Sequence, residues 1–193
     1  MSSSDPRQKR LMGSRMALAM SGMVLLLVII AGCSTTSGVK AGDTIRVFYT
    51  VSFPGTEPFE GNVNGTPLEF TVGDGTVIQG FENAVIGMNP GETKTVTISP
   101  EEGYGLRNET LVKEVDIETA LAFVQNLDQM GTSRILFFPG MEPVFEYTFP
   151  GNVVVHYTFY NITGESTTID QNHPLAGKDL VFTITLEEIV KKQ

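Results

Sequence analysis

TVIQGFENAVIGM, residues 76–88, sets Val77, Ile78, Phe81, Ala84, Val85 and Met88 at positions i, i+1, i+4, i+7, i+8 and i+11. That spacing is one face of a helix. GDG precedes the segment and NPG follows it, so at most about three turns fit between the breakers. A helix so short does not hold itself together and needs a surface to cover.

The flanking sequence supplies that surface. From Thr44 the period changes to two: in TIRVFYTVSF, Ile45, Val47, Tyr49, Val51 and Phe53 share one face. PLEFTV (67–72) and TKTVTIS (93–99) read as short strands between Gly, Pro and Asn breakers. DLVFTITLEEIV (179–190) alternates most clearly, with Leu180, Phe182, Ile184 and Leu186 on one side. An antiparallel sheet with one covered face suits these patterns, and the helix expected over 78–86 is what covers it. The fold class is α+β.

Between Leu106 and Asn172 the chain changes character and holds nine of its 17 aromatic residues. ETALAFVQNL (118–127) has the makings of a short helix. RILFF, VFEYTF and VVVHYTFYNIT read as strands separated by PG dipeptides. So much patterned sequence is too structured for a loop. It reads as a small β-rich domain, residues 107–170, inserted into a first domain made of 41–106 and 171–193.

VIQGFENAVIGMNPGETKTVTISPEEGYG resembles the FKBP-type peptidyl-prolyl isomerases, with VFYT (47–50) and PFEG (58–61) before it and NHPLAGKDLVFTITLEEI (172–189) as the closing strand. The motifs stand in family order over nearly all of 41–106 and 172–190. The break between EEGYG and NHPLAG resembles the SlyD-type subfamily, whose insert-in-flap domain binds unfolded chains. The resemblance implies an antiparallel sheet wrapped on one short helix, prolyl cis-trans isomerase activity, and proline-containing unfolded polypeptides as partners. The alternative is a membrane-tethered holdase with little isomerase activity.

Rotation about an X-Pro amide makes and breaks no bond, so it asks for neither a nucleophile nor a metal or other cofactor. A dry aromatic pocket that favours the twisted amide is enough. Carried across position by position, the resemblance puts Phe81 at the base of that pocket and offers the Ile78 N–H to a substrate carbonyl. It places Tyr49, Phe59, Leu68, Val77 and Phe182 in the walls, and aims the Tyr104 hydroxyl at the carbonyl before, or at, the prolyl amide. Glu60 stands where most members carry Asp, Leu68 where many carry Phe, and Phe81 where the best-known members carry Trp. The changes at Glu60 and Phe81 bear on macrolide affinity more than on turnover.

The first residues address the chain elsewhere. Arg7, Lys9, Arg10 and Arg15 precede the apolar run MALAMSGMVLLLVIIAG and then Cys33, the only cysteine. A basic region, an apolar core and small residues before a cleavage point describe a signal peptide. IAGC resembles a lipobox, which implies cleavage after residue 32, lipidation of Cys33 and a membrane-anchored product on the extracytoplasmic face. An uncleaved transmembrane anchor is the alternative. Residues 33–40 read as a flexible tether. Without the leader, 9 Lys+Arg face 21 Asp+Glu, a formal charge of −12. That balance argues against a nucleic-acid partner, and a monomer is expected.

His156 and His173 lie apart in sequence and form no triad with Ser, Cys or a carboxylate. A structural hydrogen bond is expected of His173 at the return from the insert. The sequence closes on KKQ, so the metal binding that some SlyD-type proteins owe to a histidine- and cysteine-rich tail is not expected of it. Asn64, Asn108 and Asn161 head N-glycosylation sequons.

Overall fold

The structure is a computed structural model that describes residues 38–192. The leader, the lipobox and Cys33 lie outside the described residues. Within the described residues no helix is long and apolar enough to cross a membrane.

Two antiparallel sheets form, each with its own helix. The first is built on the pairing of β1 (Thr44–Ser52) with β10 (Leu180–Lys191), which matches Val51 with Phe182 and Tyr49 with Ile184. β4 (Thr93–Ile98) continues the sheet beyond β10. The other edge of β1 is shared by two strands. β3 (Leu68–Thr71) pairs with its first half and β2 (Glu60–Gly61) with Thr50 and Val51. The alternation in β10 is realised as expected: Leu180, Phe182, Ile184 and Leu186 are buried and their odd-numbered neighbours are not.

Helix α1 (Gln79–Val85) packs Phe81, Ala84 and Val85 on this sheet, inside a core that includes Ile45, Val47, Phe70, Ile98, Phe182 and Ile184. Three polar contacts hold the short helix in place. The Glu82 carboxylate accepts the Gly73 and Gly75 N–H groups at 3.1 Å each, tying the GDG turn to the first helical turn. At the other end Lys94 Nζ donates to the Ala84 carbonyl at 3.0 Å, satisfying one of the groups a helix terminus leaves open. Gly80 permits the close approach, since a Cβ there would lie 2.4 Å from Ile98 Cγ2.

Order begins earlier than the tether reading allows. Val39 is buried, and it exchanges two backbone hydrogen bonds with 87–88: Val39 N–H to the Met88 carbonyl and Gly87 N–H to the Val39 carbonyl, each 2.9 Å. Residues 38–40 are therefore packed chain, because a single apolar side chain finds a slot beside the end of α1.

The second sheet runs β5-β9-β8-β7-β6, from β5 (Val112–Asp116), β6 (Thr132–Leu136), β7 (Val144–Phe149), β8 (Val153–Tyr160) and β9 (Ser166–Asp170). Helix α2 (Ile117–Met130) links β5 to β6. The Asp116 carboxylate caps α2 by accepting the Thr119 N–H at 2.8 Å and the Thr119 hydroxyl at 2.7 Å. The aromatics of this region mostly face one another. Phe123 meets Tyr157 edge-on at 5.0 Å and Phe145 meets Phe159 at 5.5 Å, while Tyr147 is fully buried. Phe137, 75% exposed, is the exception.

Two segments cross between the sheets, and they are bonded to each other. Asn172 exchanges side-chain hydrogen bonds with the Asn108 backbone, donating Nδ2–H to its carbonyl at 3.0 Å and accepting its N–H at 2.8 Å. The Arg107 guanidinium pairs with Asp170 and donates to the Tyr160 hydroxyl at 3.3 Å.

Candidate active site

A cavity of about 240 Å³ opens between α1 and the first sheet. Its base is Phe81, 2% exposed, whose ring is met edge-on by Tyr49 at 5.7 Å and by Phe182 at 5.5 Å. T-shaped contacts of this kind fix ring positions as well as burying area. β1 presents Tyr49 and Val51 from one face, β10 presents Phe182 opposite them, and β3 presents Leu68. Val77 and Ile78 enter from the turn before α1, and Tyr104 from the loop after β4.

Eight of the nine residues singled out by the sequence thus meet in one cavity. Phe59 does not. Its ring packs on Phe53 at 4.8 Å and on Phe138 of the second sheet's β6–β7 loop at 5.5 Å. The side chain next to a two-residue strand can point either way, and the aromatic partners on the far side take it. Three further lining residues are not among those the sequence assigns to the site: Val51, Thr76 and Leu175. Val51 shares the parity of Tyr49 along β1, and Leu175 belongs to NHPLAG, so both signals were present in the sequence.

Ile78 is the residue before the helix, with φ −61° and ψ 147°. Its carbonyl accepts the Phe81 N–H at 3.0 Å and the Glu82 N–H at 3.2 Å. Among the described residues its own N–H has no acceptor. An open donor at the edge of an aromatic cavity is a ready partner for a carbonyl oxygen.

Glu60 is the only charged residue in the lining. The Tyr49 hydroxyl points to Glu60 Oε1 at 3.5 Å, a long contact. Burial raises the pKa of both Tyr49 and Tyr104, and the Glu60 carboxylate raises each further. Both phenols therefore stay protonated at neutral pH and can donate.

The two histidines come together in space. The His173 ring stacks on Tyr104, with centroids 4.2 Å apart and planes within 4°, and its Nδ1 accepts the Leu175 N–H at 3.2 Å. The His156 ring, from β8, meets His173 edge-on at 4.9 Å. His156 Nε2 lies 3.2 Å from Glu146 Oε2, whose other oxygen accepts from Arg134 Nε at 2.5 Å. Separation in sequence concealed this cluster, because the register of the second sheet brings His156 next to Glu146.

The model of the FKBP-type peptidyl-prolyl cis-trans isomerase family matches residues 35–128. A short-type peptidyl-prolyl cis-trans isomerase of Methanocaldococcus jannaschii is 39% identical over 123 residues, covering 64% of this chain and 68% of that protein. The chain belongs to the FKBP-type peptidyl-prolyl cis-trans isomerases. The SlyD isomerase of Helicobacter pylori is 32% identical over 127 residues, which span 66% of this chain and 61% of SlyD. An FKBP-type 16 kDa isomerase of Escherichia coli is 25% identical over 155 residues, 80% of this chain and 95% of that protein. This FKBP-type chain is accordingly an enzyme of the prolyl isomerase class, acting on polypeptides.

Proposed function

We propose that the cavity over Phe81 is where the prolyl amide turns, and that the chain assists the folding of exported proteins. The barrier to that rotation, about 18–20 kcal/mol, comes from planar resonance. A twisted amide has less charge separation than a planar one, so a dry aromatic cavity disfavours it less than water does. In this reading the prolyl ring lies on Phe81 between Tyr49 and Phe182. The Ile78 N–H takes one substrate carbonyl and the Tyr104 hydroxyl another. The single observation that carries the reading is the convergence of one unsatisfied backbone donor and one phenol on an otherwise aromatic floor. Its test is the amide spectrum of the protein during titration with a short X-Pro peptide. The Ile78 amide proton is expected to move downfield by the largest amount in the chain; an unmoved Ile78 would remove it from the site.

The second sheet supports the other half of the proposal, that this region grips unfolded chains. Phe137, in the loop directly after β6, is exposed, and an apolar groove of about 250 Å³ lies between α2 and the sheet, lined by Leu121, Val124, Phe145 and Phe159 among others. Holding a chain there would raise its effective concentration at the isomerase cavity. The leader and Cys33 motivate the further proposal that the protein works at the outer face of a membrane, anchored by lipid or by an uncleaved helix.

A further inference from the structure

The Tyr104 hydroxyl has no hydrogen-bond partner among the described residues. Its aim is set by the ring alone. The backbone on either side is held, with the Gly103 and Gly105 N–H groups donating to the Pro100 carbonyl and the Gly177 N–H to the Gly105 carbonyl at 2.8 Å, so the freedom left is that of the side chain about its own torsions. Tyr104 is 38% exposed, so packing around its side chain is incomplete. What remains is the parallel stack with His173.

His173 is itself fixed from two directions. Nδ1 accepts the Leu175 N–H, which leaves that nitrogen bare and puts the ring proton on Nε2. The His156 ring meets it at 71° with centroids 4.9 Å apart, and His156 is anchored by Glu146, which Arg134 holds in turn. Tyr104, His173, His156, Glu146, Arg134 and Glu60 line one cavity of about 370 Å³ between the two sheets. The row of contacts therefore starts in β6 and β7 of the second sheet and ends on the phenol at the isomerase cavity.

We propose that His173 is a positioning residue for Tyr104, and that His156 of the second sheet braces it, so that the inserted region forms the back wall of the isomerase site. The inference rests on the reading of Tyr104 given above. It gives the second sheet a part in turnover of substrates too short to reach it.

The test is a double-mutant cycle on the full-length chain, read as kcat/KM for cis-to-trans exchange of a short X-Pro peptide. His173→Ala is expected to lower kcat/KM about five- to tenfold and His156→Ala about two- to threefold, with His173→Phe, which keeps a flat stacking ring, within about twofold of the wild type. In a Tyr104→Phe background, His173→Ala is expected to cost nothing further, since the hydroxyl it aims is gone. A loss of the same size in both backgrounds would overturn the positioning role while leaving the cavity reading intact. An unaffected Tyr104→Phe enzyme would sink the assigned role of Tyr104 and the inference with it. The stack has its own readout without turnover: the Tyr104 ring protons are expected upfield in the wild type and in His173→Phe, and shifted back in His173→Ala. Ring protons that ignore His173→Ala would also overturn the proposal.

Discussion

Each functional side chain here is defined by what surrounds it. Phe81 belongs to the core and the cavity at once, so it cannot be exchanged without loss of both. Tyr104 and Tyr49 are phenols kept neutral by burial and by Glu60. His173 is kept neutral as well: burial foremost, and then the neighbouring His156, lower its pKa to about 4, against the opposing pull of Glu146. The consequence for stability follows from linkage. The unfolded chain takes up a proton near pH 6.5 while the folded chain does not until about pH 4. His173 thus favours the fold fully above pH 6.5, and that contribution is lost as pH falls from 6.5 towards 4. The loss amounts to at most about 3 kcal/mol. Urea midpoints between pH 7 and pH 4 are expected to fall less steeply in His173→Phe than in the wild type; parallel curves would assign the acid sensitivity to other groups.

At the scale of elements, α1 is a helix too short to stand alone, placed by contacts at both ends and by one glycine. With Ile98 buried under Gly80, Gly80→Ala forces a methyl against a branched side chain that has nowhere to go. Overpacking of this kind costs about 1–3 kcal/mol, more than the propensity gain of alanine in a helix returns. Gly80→Ala is therefore expected to lower the urea midpoint. Adding Ile98→Val is not expected to restore it, since Val retains the clashing Cγ2; a restored midpoint would place the clash elsewhere. Periodicity made the first sheet and α1 legible because each has one wet and one dry face. The stripe over 76–88 placed α1 within a residue at each end, and the parity of Tyr49 and Phe182 placed both rings in the cavity. Other features were hidden by their physics. β5 and β9 are short and mostly polar, so alternation is weak in LVKEVD and STTID. α2 extends to 14 residues, beyond the ten-residue stretch that its apolar residues marked, because Asp116 caps it and Gly131 stops it. Phe59 left the cavity because aromatic partners from a distant part of the chain claimed it.

For the whole molecule, the crossing segments join the two sheets through the Asn108–Asn172 exchange and the Arg107–Asp170 pair, and the histidine row adds a second bridge close to the cavity. Two short crossings by themselves would leave the sheets free to move against each other. Fixed hydrogen bonds across them limit such motion, and they set the second sheet's Phe138 against Phe59 at the cavity's side. One molecule in this way carries the cavity over Phe81 and, in its second sheet, the apolar groove proposed to hold longer chains. The central claim is that prolyl turnover happens over Phe81 with Tyr104 taking part. The most direct measurement is the cis-to-trans exchange rate of a short X-Pro peptide, by exchange spectroscopy, with the full-length chain and its Tyr104→Phe variant. Spontaneous exchange takes tens to hundreds of seconds, so acceleration by the wild type is easily read. Removal of one hydrogen bond made in the transition state is expected to reduce kcat/KM about tenfold, with the circular dichroism unchanged. No acceleration by the folded wild type, or an equal rate from Tyr104→Phe, would contradict the account.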